Sequence, residues 1–301
     1  MLDPATLAKI ENLEVRARTV VEGALAGLHH SPHHGSSVEF AEHKEYTAGD
    51  EIKHIDWKAY GKFDKYYVKR FEEETELRTY LLCDTSGSMS YKNDKGGVSK
   101  LEYARTLSSA IAYLLLRQQD QVGLVAFAER LRAFVPPRSR GGHMASLLEA
   151  FGDLEATGKT DLGLALSYLS EVAQRRSLIV VMSDLLLTTN TTRGTDDVRH
   201  LLRGLRARNH DVVVFHLLDH DELTLPFDGS TWFESLEEDG KILADPADVR
   251  RAYLKEMAAF IEGHRQSLAE GDVEYHLVDT SRPPSEVLLE FLNGPWRQVL
   301  R

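Results

Sequence analysis

The sequence predicts an α/β fold: a doubly wound, mainly parallel sheet of six strands with one antiparallel edge strand. From about residue 77 onward, short apolar runs alternate with longer stretches of helical spacing, which is typical of a parallel sheet covered by helices. The centres of two runs, LIVV and VVVF, are wholly apolar, as in strands buried on both faces. QVGLVAF and LRAFV lie too close together for an intervening helix, so we expect a hairpin that makes LRAFV the antiparallel edge.

Each element follows from this alternation. The predicted strands are residues 78–84, 121–127, 131–135, 177–184, 210–218 and 272–279. The predicted helices are residues 100–118, two segments within 143–174, residues 196–208 and residues 248–268. Residues 220–247 are rich in turn formers and are interpreted as a loop or hairpin insertion. We therefore predict a main domain over 77–301 with that insertion. It is preceded by an N-terminal segment over 1–76, which starts as a helix, continues as an extended segment and packs on the main domain.

Composition and charge exclude several classes of protein. With 36 Lys and Arg against 47 Asp and Glu, the formal charge is −11, which disfavours nucleic acid as a partner. No apolar stretch approaches the roughly 18 residues of a membrane span, and the N-terminus has no apolar core of a secretion signal. The single cysteine, Cys83, cannot form an internal disulfide and suits a reducing compartment. We therefore expect a cytoplasmic protein.

Oxygen-bearing side chains follow two of the predicted strands. Asp84 ends the first strand of the main domain, Ser86 and Ser88 follow it on either side of Gly87, and Asp184 ends a later strand. Because the carboxyl ends of neighbouring strands open onto one crevice in a doubly wound sheet, we expect these side chains to meet. Two carboxylates and two hydroxyls without His or Cys suit Mg²⁺ or Mn²⁺ better than zinc or copper. The pattern therefore indicates a divalent-cation site.

These residues resemble the metal-ion-dependent adhesion site of von Willebrand factor A domains. DTSGSM has the Asp-x-Ser-x-Ser motif, GKTDLGLAL supplies the threonine ahead of a helix, Thr160, and VVMSD supplies the strand-end aspartate, Asp184. The resemblance implies that Ser86, Ser88 and Thr160 contact the ion directly. Asp84 and Asp184 would act partly through water. It implies Mg²⁺, with Mn²⁺ or Ca²⁺ as substitutes, and a coordination position that an Asp or Glu of a protein partner completes.

A second resemblance lies in the N-terminal stretch EFAEHKEYTAGDEIKHIDWKAYGKFDKYYVKRFEEE. It is similar to the signature of a bacterial family known as domain of unknown function 58, DUF58. The matching positions are Tyr46, Gly49, Asp50, Ile55, Asp56, Trp57, Val68, Lys69, Phe71, Glu73 and Glu74. This resemblance implies a non-enzymatic adapter that works with a MoxR-type AAA+ ATPase in the assembly or remodelling of protein complexes.

Two other interpretations of the same crevice stay open. The first is a metal-dependent hydrolase, although a phosphohydrolase needs a second acid two residues after its nucleophilic aspartate, and Ser86 stands there. A serine nucleophile elbow would need glycine at position 84, which is Asp84. The second is a degenerate, purely structural site. We expect no enzymatic activity.

Three further patterns have plainer interpretations. GKT in ATGKTDLG ends like a phosphate-binding loop, but the glycine required five residues before Gly158 is Asp153. HHSPHH lacks the spacing of a metal site and is interpreted as a polar loop. The aromatic residues within 57–71 are interpreted as packing the N-terminal segment rather than as a peptide-binding face.

Overall fold

A computed structural model defines the fold. It describes residues 2–29, 43–45, 66–69, 77–93, 96–174, 176–186, 195–237 and 240–294. The chain forms two compact units, residues 1–30 with 77–301 and residues 31–76. The predicted boundary at residue 76 stays a prediction; the contacts place the first 30 residues in the unit that contains the main domain.

The strands and helices have the following bounds. The strands are β1 (His43–Glu45), β2 (Tyr67–Lys69), β3 (Arg78–Asp84), β4 (Gln121–Phe127), β5 (Leu131–Arg138), β6 (Ser177–Ser183), β7 (Asp211–Leu218), β8 (Thr231–Glu234), β9 (Lys241–Ala244) and β10 (Glu274–Asp279). The helices are α1 (Pro4–Ala8), α2 (Leu13–His29), α3 (Lys100–Arg117), α4 (His143–Gly152), α5 (Leu162–Val172), α6 (Thr195–Ala207), α7 (His220–Thr224), α8 (Pro246–Glu270) and α9 (Pro284–Asn293). In the smaller unit, β1 pairs antiparallel with β2.

The larger unit is built on a six-stranded sheet with the order β10-β7-β6-β3-β4-β5. The pairs among β10, β7, β6, β3 and β4 are parallel, whereas β5 runs antiparallel to β4. Strand β6 is buried along its whole length, while side chains of β5 alternate between half-buried and exposed, as expected at an edge. The predicted fold class is confirmed, including the antiparallel edge strand.

Helices cover both faces of the sheet. On one face, apolar side chains of α2, α3, α4 and α9 pack against β3, β4, β6 and β7. On the other face, α5, α6 and α8 form a second core. Helix α9 was not predicted, although Val287, Leu288, Phe291 and Leu292 are buried at helical spacing and Pro284 stands at its start.

The predicted insertion contains a short helix and a hairpin. Helix α7 is followed by β8 and β9, which pair antiparallel, and the backbone N–H of Ser235 donates to the carbonyl of Gly240 across the turn at 3.0 Å. Trp232, Ile242 and Leu243 on this hairpin are exposed. In the described part of the chain, every helix is too short or too polar to cross a bilayer.

Some sequence interpretations concern residues outside the described ranges. These are the histidine-rich stretch after residue 29, the aromatic residues within 57–65 together with Phe71, and the family-signature positions 46–57 and 71–74.

Candidate functional site

The five residues predicted to hold a metal lie together at the carboxyl edge of the sheet, where they form the carboxyl-edge cluster. Asp84 Oδ2 accepts a hydrogen bond from the hydroxyl of Thr160 at 3.0 Å. The hydroxyl oxygens of Ser86 and Ser88 are 3.1 Å apart, and the hydroxyl of Ser88 helps to lower the pKa of Asp184. All five residues are buried. The structure therefore brings together the set that the sequence indicated, while their role as metal ligands stays a prediction.

Backbone hydrogen bonds hold the loop that carries Thr160 against the turn that follows β3. The N–H of Thr157 donates to the carbonyl of Thr85 at 2.9 Å, and the N–H of Gly87 donates to the carbonyl of Gly158 at 2.7 Å. Gly158 has a φ of +74°, which favours glycine. These contacts place the Thr160 hydroxyl beside Asp84 although 76 residues separate them.

Asp84 also accepts hydrogen bonds that the sequence did not predict. Its Oδ1 accepts the backbone N–H of Ser86 at 2.9 Å, and its Oδ2 accepts the hydroxyl of Ser183 at 2.7 Å. Burial and the negative charge of Asp184 nevertheless raise the pKa of Asp84 to about 6. The two carboxylates thus lie close enough to oppose each other's ionisation.

Lys100 is a buried cation of the site that the sequence interpretation missed. Its ammonium nitrogen lies 2.8 Å from Asp184 Oδ2 and 2.7 Å from Glu222 Oε1, and its side chain has no exposed surface. Burial opposes the ionisation of Asp184, but Lys100 keeps the pKa of this carboxyl below its usual value. Lys100 begins α3, where a positive charge opposes the helix dipole. This unfavourable position is the feature of the sequence that could have identified Lys100 as part of the site.

Glu237, in the turn between β8 and β9, was also missed. Both of its carboxylate oxygens are buried, and neither has a hydrogen-bond partner among the described residues. Burial raises the pKa of Glu237; the hydroxyls of Ser88 and Ser86 lower it and the charge of Asp184 raises it. Glu237 also lines the same cleft as Ser88, so it lies beside the carboxyl-edge cluster.

Gly87 allows the hairpin to come this close. A Cβ atom at Gly87 would lie 2.0 Å from the carbonyl oxygen of Leu236 and 3.3 Å from that of Gly158. Any larger residue would push away the backbone that carries Glu237. The glycine of the Asp-x-Ser-x-Ser turn is therefore required by packing as well as by the turn.

The site has more acidic than basic side chains, which favours the binding of a cation. The described residues of the site include four carboxylates, of Asp84, Asp184, Glu222 and Glu237, and the buried ammonium of Lys100 pairs with two of them, Asp184 and Glu222. In the same ranges, no three His, Cys, Asp or Glu side chains converge as metal ligands. Hydroxyl oxygens would therefore have to complete the coordination of an ion, which suits a hard divalent cation. The residues fit Mg²⁺.

A cleft of about 710 Å³ leads to this cluster. Ser88 and Glu237 lie in its wall together with Tyr91, Phe233 and Tyr253. The wall as a whole is mainly apolar, and its polar groups include Ser88 and Glu237. A ligand could therefore reach the site along the hairpin.

Residues 42–262 match the family described as "Protein of unknown function DUF58". Three uncharacterized mycobacterial proteins, one from Mycobacterium bovis and two from strains of Mycobacterium tuberculosis, are each 26% identical to this chain over 238 residues. The match covers 78% of this chain and 72% of each relative.

Solved structures with a similar fold include BatB from Bacteroides thetaiotaomicron, with a TM-score of 0.48 and 16% identity over 71% of this chain and 96% of that chain. The SpRpn10 VWA domain has a TM-score of 0.41 and 11% identity, covering 71% of this chain and 94% of that one. A von Willebrand factor type A protein from Catenulispora acidiphila has a TM-score of 0.36 and 15% identity, covering 50% and 34%. The likeness to these proteins concerns the fold alone.

Proposed function

The chain belongs to the DUF58 family, and we propose that it is a non-enzymatic adapter with a metal-dependent docking site. The carboxyl-edge cluster binds Mg²⁺, and the bound ion docks an acidic group of a protein partner. Mn²⁺ or Ca²⁺ would substitute for Mg²⁺, since both also prefer oxygen ligands.

The observation that carries this proposal is the excess of buried carboxylates beside neutral hydroxyls. Buried charges are stable when they are paired or coordinate a metal, and Lys100 is shared between Asp184 and Glu222. None of the described groups that most strongly shift the pKa values of Asp84 and Glu237 is a cation. A divalent ion at Ser86 and Ser88 would supply the missing positive charge.

The residues present divide into two roles around such an ion. Ser86, Ser88 and Thr160 would offer neutral oxygens directly, and Asp84 and Asp184 would act partly through water. Neutral ligands leave the ion electrophilic, so that it attracts a further carboxylate. Asp84 positions its neighbours, because it accepts hydrogen bonds from the hydroxyl of Thr160 and the backbone of Ser86.

The same contacts support a docking role rather than catalysis. Both oxygens of Asp84 accept hydrogen bonds, which disfavours it as a nucleophile. The general acid of a phosphohydrolase would stand at position 86, where Ser86 has no comparable acidity. The metal therefore acts as a contact point for a partner.

The partner follows from the family resemblance. We propose a MoxR-type AAA+ ATPase, or its client, as the source of the acidic group, and a role in the assembly or remodelling of protein complexes. Both partners would meet in the cytoplasm.

Affinity capture with the full chain tests the proposal. The wild type should retain an AAA+ ATPase in Mg²⁺ and release it in EDTA, whereas Asp84→Asn should not retain it. Asp219→Asn, directly after β7 at the same edge of the sheet, is the matched control and should behave like the wild type. Metal-dependent turnover of phosphate or acyl esters that disappears in Asp184→Asn would instead establish a hydrolase, and calorimetry without Mg²⁺ binding would establish a purely structural site.

A further inference from the structure

The turn of the β8–β9 hairpin presents an acidic side chain to the carboxyl-edge cluster. Strand β8 is paired with β9 through four residue pairs, Thr231 with Ala244 through Glu234 with Lys241. Beyond Glu234 the chain turns toward the cluster, and the N–H of Glu237 lies 3.4 Å from the hydroxyl oxygen of Ser235. The hairpin thus directs one side chain, Glu237, inward.

The environment of Glu237 is unusual for a structural carboxylate. Its two oxygens are buried with no hydrogen-bond partner in the described part of the chain, although an unpaired buried charge is strongly unfavourable. Glu234, two residues before the turn residue Leu236, has a side chain that is 60% exposed and pairs with Lys241 at 3.0 Å. Among the described residues of the hairpin, Glu234 therefore forms an ordinary surface pair, whereas the buried oxygens of Glu237 have no hydrogen-bond partner.

Glu237 lines the same cleft as Ser88, one of the proposed direct ligands of Mg²⁺, and the hydroxyls of Ser86 and Ser88 lower the pKa of the Glu237 carboxyl. The backbone of Leu236 fits against Gly87, which separates these two serines. The turn is consequently packed onto the metal-binding turn itself rather than onto a distant part of the cleft.

We propose that Glu237 is an intramolecular ligand of the metal centre. Its carboxylate takes the coordination position that a partner's Asp or Glu would otherwise complete. This inference rests on the proposed metal site and adds a regulation to it: a partner gains access to the ion only when the hairpin releases Glu237.

Exposed apolar side chains on the hairpin are suited to that release. The hairpin exposes three large apolar side chains: Trp232 is 64% exposed, Ile242 69% and Leu243 54%. A partner can therefore bind the hairpin through apolar contacts. Binding there and displacement of Glu237 would be coupled, because both involve the same short pair of strands. The partner would then recognise two features together, an apolar hairpin and a metal.

Calorimetric titration with Mg²⁺ tests the proposal on three full-length proteins: the wild type, Glu237→Gln and Glu234→Gln. Residues that hydrogen-bond a metal ligand without contacting the metal contribute about 10- to 100-fold to metal affinity, and a direct ligand should contribute at least as much. Glu237→Gln should therefore bind Mg²⁺ at least about tenfold more weakly than the wild type. Glu234→Gln, from the same hairpin, should bind as the wild type does.

Two further measurements report the contact itself. With Mn²⁺ as the probe, water-proton relaxation should be stronger in Glu237→Gln, because water fills the vacated coordination position. Mg²⁺ should slow amide hydrogen exchange in β8 and β9 of the wild type and of Glu234→Gln, but not of Glu237→Gln.

The outcomes separate this inference from the function on which it rests. Equal Mg²⁺ affinity and equal Mn²⁺ relaxation in all three proteins would overturn the intramolecular ligand and leave the metal site intact. Tighter Mg²⁺ binding by Glu237→Gln would also overturn it. A wild type that binds no Mg²⁺ would overturn the metal site and the ligand together.

Discussion

Two halves of the carboxyl edge contain strand-end aspartates in opposite circumstances. In the central half, Asp84 ends β3 and Asp184 follows β6; in the lateral half, Asp219 follows β7 and Asp279 ends β10. Strand position alone does not distinguish them. Their hydrogen bonds and counter-charges do.

The lateral aspartates are satisfied by their surroundings. Asp219 caps α7: its Oδ1 accepts the N–H of Asp221 at 2.9 Å, and Glu222 Oε2 accepts the N–H of Asp219 at 2.7 Å. Asp279 accepts the N–H of Ser281 at 2.8 Å and lies 2.9 Å from a ring nitrogen of His220. These acids complete local structure.

The central aspartates have an excess of negative charge around them. Asp84 and Asp184 oppose each other, Lys100 is shared with Glu222, and Glu237 adds another carboxylate. This comparison indicates that an excess of buried negative charge, rather than an acid at the end of a strand, identifies the candidate metal site.

The largest effect is expected when the positive charge of Lys100 is removed from the central half, because the excess of negative charge there then increases. Lys100→Met should lower the free energy of unfolding of the metal-free protein by about 3–5 kcal/mol, since it leaves two buried carboxylates without their cation. Arg18→Met is the control, because Arg18 pairs with Glu22 at the surface and such pairs contribute about 0.2–1 kcal/mol. Urea denaturation in EDTA measures both. A Lys100→Met protein as stable as the wild type would show that the shared ion pairs do not stabilise the fold.

Metal affinity should distinguish the two halves directly. Asp84→Asn should weaken Mg²⁺ binding by about 100-fold, since removing a group that orients metal ligands costs about 10- to 100-fold or more. The fold should persist, because the substitution relieves repulsion with Asp184. In thermal denaturation, Mg²⁺ at 100 times its dissociation constant should stabilise the wild type by about 2.7 kcal/mol. EDTA should remove this gain, and Asp219→Asn should retain it; loss in both variants would erase the distinction between the halves.

A change of pH should act on a half-buried histidine, His264, behind the lateral half. Burial, with Arg199, lowers the pKa of His264 to about 4, and its ring packs edge-on against Phe260 and His216. As pH falls from 6.5 toward 4, the unfolded chain binds a proton that the folded chain resists, so stability falls.

Replacing this side chain with a neutral one should remove its share of the pH dependence. Between pH 7 and pH 4, His264→Gln should lessen the loss of stability by about 1–3 kcal/mol. Urea midpoints measured across this range provide the test. If the wild type and His264→Gln lose stability in parallel, the histidine does not resist protonation in the fold.

The smallest effect should come from the lateral cap. Asp219→Ala should lower stability by about 0.5–2 kcal/mol, because α7 loses the side-chain oxygen at its N-terminus. Asp219→Asn should lose less, since an amide oxygen also caps a helix. Denaturation in EDTA separates the two variants. Equal losses would indicate that the charge of Asp219, rather than its capping bond, stabilises this half.

The sequence predicted the elements that have a strong local pattern. Alternating apolar strands and helices defined the sheet, and the DTSGSM turn located Asp84, Ser86 and Ser88. Asp184 was found as the acid at the end of a later strand, whereas Thr160 was found only through the family pattern, since nothing in its immediate neighbours requires it to meet Asp84.

The missed residues depend on contacts between distant segments. Lys100 resembles an exposed residue at a helix start, and its burial results from Asp184 and Glu222, which lie 84 and 122 residues further along the chain. Glu237 lies in a turn-rich stretch of acidic residues, where a solvated side chain is the usual expectation. Helix α9 was overlooked despite its apolar spacing.

The prolines of β5 bear on how this protein assembles. Pro136 and Pro137 lie in the strand that forms one margin of the sheet. Neither can offer an amide proton to an approaching chain, so this margin is a poor template for extending the sheet between molecules. Aggregation through strand exchange is thereby discouraged at that side, and recognition is left to loops and side chains.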